Sequence, residues 1–138
     1  MNPPVTFSLA HWCLLVAALL PLVCSWMAKA PGIGKPRREG GFDNAHPREW
    51  LARQQGASAR AAAAQANSFE GLPFFFGAVL VALQLGAPQP RLDLLALAYV
   101  MLRVAYIASY VGNWPTTRSL FWALGFAVNV WIMLLGWR

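Results

Sequence analysis

The stretch ARAAAAQANSFEGLPFFFGAVLVALQL (59–85) is long and apolar enough to cross a bilayer, whose core accepts roughly 20 apolar residues as a helix. It nevertheless carries Gln65, Asn67, Ser68 and a carboxylate, Glu70, with the helix breaker Pro73 three residues further on. A polar group facing lipid has no partner, so such groups must point toward protein, water or a ligand. The segment therefore reads as a membrane span with one polar, inward-facing side.

Three other segments match it in character. Residues 5–28, 94–112 and 119–137 each approach the length of a bilayer crossing. Of the 138 residues, 58% are hydrophobic and only 12% charged, where a soluble domain has about a quarter charged. The predicted fold class is an all-α integral membrane protein, a four-transmembrane-helix bundle forming a single membrane domain over 1–138. The first segment is read as a permanent helix rather than a cleaved signal. MNPPVTFS (1–8) lacks a positive n-region, and the apolar run exceeds the usual 7–15 or so residues of an h-region.

A net charge of +6 raises the question of nucleic acid, but the placement of the charge argues for topology instead. Lys29, Lys35, Arg37, Arg38, Arg48, Arg53 and Arg60 lie between spans one and two, whereas the next connection holds only Arg91. By the positive-inside rule the basic loop and the turn ending at Arg118 face the cytoplasm, and both termini lie outside. The basic loop is then a topology signal that touches lipid headgroups. Nucleic acid is not a predicted partner.

Other chemistries find little support. Cys13 and Cys24 are eleven residues apart in one span, about 16 Å along a helix and far beyond disulfide reach, so they read as small packing residues. No His or Cys cluster has metal-ligand spacing. GIGKP (32–36) lacks the spacing and hydroxyl of a phosphate loop. His11 reads as an interfacial residue. The loop 29–50, rich in Gly, Pro and charge, is expected to form no core of its own. Within it FDNAHP (42–47) reads as a turn, with Asp43 or Asn44 available to cap and Pro47 at a first helical position. A helix follows through REWLARQQ (48–55), with an interruption near Gly56–Ser58 before the second span.

Helical periodicity collects the polar residues into stripes. Arg60, Ala63, Asn67 and Glu70 share one face of span two. Tyr99, Arg103, Tyr106 and Tyr110 share one of span three, and Arg118, Trp122, Gly125 and Asn129 one of span four. These stripes are predicted to face one another or another subunit, with Glu70 and Arg103 as mutual partners and a kink beyond Glu70 at Pro73. On the residues alone two readings stand: polar contacts that bind helices together, or a polar pocket for a charged ligand.

The segments RAAAAQANSFEGLPFF (60–75), FDNAHPREWL (42–51), LRVAYIASY (102–110) and TRSLFW (117–122) resemble the MAPEG family, the membrane-associated proteins of eicosanoid and glutathione metabolism. The resemblance spans essentially the whole chain and is nearest the bacterial members. It implies a homotrimer in a bacterial inner membrane, with glutathione bound between subunits near the cytoplasmic surface as co-substrate and a lipophilic small molecule as the other partner. It also implies glutathione-binding roles for Asn67, Glu70, Arg103, Tyr106 and Tyr110. Gln65 is implied to reach the neighbouring subunit's ligand, and Arg118 to be catalytic. Where eukaryotic members have a helix-two arginine this chain has Ala63, and Arg60, one turn earlier, is the substitute. The tyrosine that follows Glu in leukotriene-C synthase is Gly71 here. The implied activity is that of a glutathione transferase or peroxidase acting on lipophilic electrophiles. The rivals are a non-catalytic membrane protein and a small four-helix transporter.

Overall fold

A computed structural model describes residues 6–137, and the described residues form helices and turns with no strand. Helix α1 covers Leu9–Lys29, the short α2 Pro47–Ala52, α3 Gly56–Gln84, α4 Gln89–Val111 and α5 Pro115–Leu134. All but α2 are long and apolar enough to cross a membrane. The part of the first predicted span before residue 6 lies outside the described residues.

Sequence punctuation accounts for the ends. Pro47 and Pro115 each occupy the first position of a helix, and Pro90 the second position of α4. There a missing N–H costs nothing and the fixed φ suits the helix. Asn113 takes a left-handed φ of 61° in the turn before α5, a conformation that asparagine tolerates. α4 starts five residues before the apolar run that predicted it, because Gln89, Arg91 and Asp93 form a polar first turn that hydropathy does not score. The predicted interruption near Gly56–Ser58 falls earlier: α2 ends at Ala52 and α3 already begins at Gly56. α3 runs without interruption through Pro73.

α1 packs against α3 and α4, and α5 packs against those same two helices from the other side. α3 and α4 thus meet across the middle of the bundle. α1 presents a stripe of small residues, Ala10, Cys13, Ala17, Cys24 and Ala28, toward Ala61, Ala64, Ala78 and Ala82 of α3. Small side chains let membrane helices approach closely, and dispersion contacts then replace the hydrophobic drive that lipid does not supply. Both cysteines are free and buried in this packing, in the role expected of them.

The core is divided. One cluster, around Phe75, Leu92, Tyr99 and Ile132, fills the half of the bundle that holds the α3–α4 turn. A smaller one, Cys24, Ala64, Tyr106 and Ile107, lies toward the α4–α5 turn. Between them sits a polar layer built on Arg103. At the α3–α4 end, Asp93 Oδ1 accepts the Ala10 backbone N–H at 2.8 Å and Gln89 Nε2 at 2.7 Å. Gln89 also donates to Ser8 Oγ, and the Ser8 N–H donates to His11 Nδ1 at 3.0 Å. A carboxylate at a helix N-terminus satisfies orphan donors and complements the helix dipole. Asp93 was not singled out by sequence, since its polarity reads simply as a loop flank.

The loop between α1 and α2 departs from expectation by building a core of its own. Trp50 is buried, donates its indole N–H to Gly40 O at 3.2 Å and meets the edge of Phe42. Lys29 lies 5.2 Å from the Phe42 ring centre. Gly32 packs so closely on the Trp50 ring that a Cβ there would collide with it. Asp43 closes the turn rather than capping α2: its Oδ1 accepts the Ala45 N–H, while its carboxylate faces Arg37 and His46. The Ala45 hydrogen bond first, then those to His46 and the Arg37 charge, hold the Asp43 carboxyl below its ordinary value.

Candidate functional site

Arg103 organises the polar layer. Its side chain is 6% exposed, and Nη2 donates to Asn67 Oδ1 at 3.0 Å and Ser68 Oγ at 3.2 Å. The guanidinium lies 4.2 Å from the Tyr106 ring centre, where the ring quadrupole favours a cation. Burying a guanidinium is costly unless its donors are met, and this arrangement meets part of the fork with neutral acceptors, leaving the positive charge uncompensated.

The predicted Glu70–Arg103 pair is absent. Glu70 is exposed, and among the described residues every ion pair lies in the loop region between Arg37 and Arg53. Helix geometry explains the difference. Residues turn by about 100° each, so an arginine seated between Asn67 and Ser68 leaves Glu70 well to one side. α3 buries the face of Ala61, Ala64, Ser68 and Phe75. The Asn67–Glu70 stripe is therefore rotated to the edge of the bundle rather than into it.

That edge opens on a groove of about 320 Å³ between α3, α4 and α5. Asn67, Glu70, Gly71 and Phe74 form one wall, Tyr99 and Arg103 the base, and Trp122, Gly125, Phe126 and Asn129 the other wall. The α4 stripe behaves as expected, with Tyr99, Arg103 and Tyr106 all buried and Tyr110 half-buried. On α5, Gly125 and Asn129 are buried, Arg118 half-buried and Trp122 exposed.

The remaining predicted residues sort by position. Arg118 sits with its guanidinium 4.3 Å from the Tyr110 ring centre, and Tyr110 meets Tyr106 edge-on at 5.7 Å. Arg118, Tyr106, Ser119 and Trp122 line a second hollow of about 180 Å³, and Trp122 is common to both. Arg60 donates Nε–H to Val111 O at 2.9 Å, so it caps the C-terminus of α4, where a cation is favoured. Gln65 is half-buried and does not line the groove. Tyr99 of the groove is placed on the inward stripe by its spacing but has no predicted ligand role, whereas Phe74 and Phe126 are not singled out by sequence, because phenylalanine in a membrane span carries no signal that separates a pocket wall from a lipid-facing surface.

Among the described residues, Arg103 and Arg118 have no carboxylate partner and Glu70 no cation, and all three lie on the α3–α4–α5 side of the bundle. Such a set complements a ligand that carries carboxylates and an ammonium. The model of the MAPEG family matches residues 9–137. No individual curated protein and no solved structure matches the chain significantly.

Proposed function

Since the chain belongs to the MAPEG family and carries four membrane-crossing helices, we propose that it binds glutathione at the α3–α4–α5 face and conjugates it to lipophilic electrophiles. The observation that carries this reading is the charge inventory of that face. Glutathione has two carboxylates and one ammonium, and the face offers Arg103, Arg118 and Glu70 as unpaired complements. Asn67, Tyr106 and Tyr110 supply further polar and π contacts around the two arginines. Gln65, outside the groove, reaches the ligand of a neighbouring subunit in a homotrimer, and Arg60, which holds the end of α4 from α3, stands in for the helix-two arginine at the rim of the site.

An exposed carboxylate within a membrane helix is unfavourable by a few kcal/mol, which favours cover by a second subunit or a ligand. Helix-binding polar contacts account for Arg103, Asn67 and Ser68 but leave Glu70 unexplained. A transporter of cationic drugs is disfavoured because Arg103 lines the same groove as Glu70 and Arg118 lines the adjoining hollow. In this reading Arg118 is the catalytic residue. It stabilises the thiolate by the field and hydrogen bonds of its guanidinium. In the same reading this end of the bundle, which carries the basic loop, lies on the cytoplasmic side of a bacterial inner membrane and both termini lie outside, in accord with the positive-inside rule.

The test is calorimetric titration of glutathione into detergent-purified protein, followed by a conjugation assay with an aryl halide. Saturable binding and thiol-dependent turnover are expected. Absence of binding in folded, oligomeric protein refutes the proposal.

A further inference from the structure

The inner end of the groove contains a group that the glutathione reading leaves unused. Asn129 is 3% exposed, lines the groove, and its Oδ1 is the buried side-chain atom without a hydrogen-bond partner among the described residues. It lies eleven residues beyond Arg118 on α5, about 16 Å deeper along the helix. An unmet carbonyl at that depth costs a kcal/mol or more, with no bulk water to serve it.

The surroundings are aromatic. Trp122 and Phe126 stack at 5.6 Å with an interplanar angle of 15°, and Phe74 meets Phe126 at 5.5 Å. Glycines keep the space between these rings and Tyr99 open: the Gly125 position faces the edge of the Tyr99 ring, and Gly71 faces its hydroxyl. Flat walls of this kind favour a flat, apolar guest, and because the whole groove, glutathione-facing residues included, is about 320 Å³, at the lower end of small-molecule sites, its inner end suits only a small one.

We propose that this inner end is the electrophile pocket and selects flat aromatic molecules bearing a hydroxyl or N–H group, with Asn129 Oδ1 as the acceptor that reads the donor. The assignment deepens the glutathione-conjugation reading and rests on it only for the word electrophile. The binding preference stands on the groove itself. A site built around a buried acceptor rejects an analogue that lacks the donor, because the acceptor is then left unpaired without access to water.

The test uses 1-naphthol and 1-methoxynaphthalene, which share the ring but not the donor. Binding is measured on the purified full chain in lipid nanodiscs, with empty nanodiscs subtracted for partitioning. Wild-type protein is expected to prefer 1-naphthol about tenfold, and the preference is expected to fall to near one in Asn129→Leu. Equal binding of the two probes by wild type overturns the proposal, as does a preference that survives in Asn129→Leu, or no binding of either probe. If Asn129→Leu does not fold, the wild-type comparison still decides. Glutathione titrated in parallel separates the two readings: its failure to bind refutes the conjugation reading while the naphthol comparison stays readable.

Discussion

Replacing Glu70 by glutamine separates a ligand-binding carboxylate from one that holds helices together. If Glu70 paired with Arg103 inside the bundle, removing its charge would strand a buried guanidinium at a cost of roughly 3–5 kcal/mol. The structure shows otherwise: Arg103 bonds to Asn67 and Ser68, and Glu70 is exposed without an ion pair. Glu70→Gln keeps the side-chain volume and one acceptor oxygen and removes a charge that a membrane helix carries at a cost, so stability is expected to be unchanged or higher than in wild type. What it removes is the charge assistance to a ligand ammonium. Hydrogen bonds to charged groups contribute about 1.5–3 kcal/mol, and the lower end, suited to a partly open groove, corresponds to about tenfold in affinity. The assay is glutathione calorimetry on the oligomeric fraction alone, with thermal unfolding of the same sample. Unchanged affinity would refute the ligand role, and a large loss of thermal stability would refute the structural argument.

Arg118→Lys retains a cation for the Tyr110 ring but loses the planar fork. It is expected to slow conjugation tenfold or more with little change in glutathione affinity, about 1.4 kcal/mol of transition-state stabilisation, and wild-type turnover would return Arg118 to an anchoring role. Asp93→Ala removes the acceptor of the Ala10 N–H and the Gln89 side chain. A loss of about 1–3 kcal/mol is expected, read as faster amide exchange at the start of α1 but not of α5. The lowered Asp43 carboxyl stabilises the 43–46 turn at and above the ordinary carboxylate value, and that contribution is lost as pH falls through the folded value. The Ala45 amide resonance should therefore titrate with a midpoint below 3.8, and a midpoint at or above it would refute the assignment.

Much of this molecule is legible without a structure, and the limits of that legibility have physical causes. Apolar run length locates the four spans because bilayer thickness fixes how many residues a helix needs. Proline at Pro47 marks a helix start because its missing N–H costs nothing in the first turn and its fixed φ suits the helix. The stripe of Tyr99, Arg103 and Tyr106 is buried as its period implies. Periodicity, however, says which residues share a face and not how far each helix is rotated against its neighbours. That rotation comes from packing, here the close seating of Ala61, Ala64 and Ala78 of α3 within the bundle beside the small residues of α1. It turns Ser68 inward and Glu70 outward, so Arg103 bonds to Asn67 and Ser68 instead of the carboxylate that charge complementarity suggests.

The sequence by itself determined the number of spans, the sign of the connecting loops and the kinds of side chain on each polar stripe. Those depend on composition and spacing along one helix at a time. Only the tertiary structure decided that Arg60 caps α4, that Trp50 gathers the basic loop around itself, and that Asn129 ends in an aromatic groove with its carbonyl unmet. Each of these depends on the distance between groups many residues apart, which no local pattern encodes and which the packing of one helix on another sets.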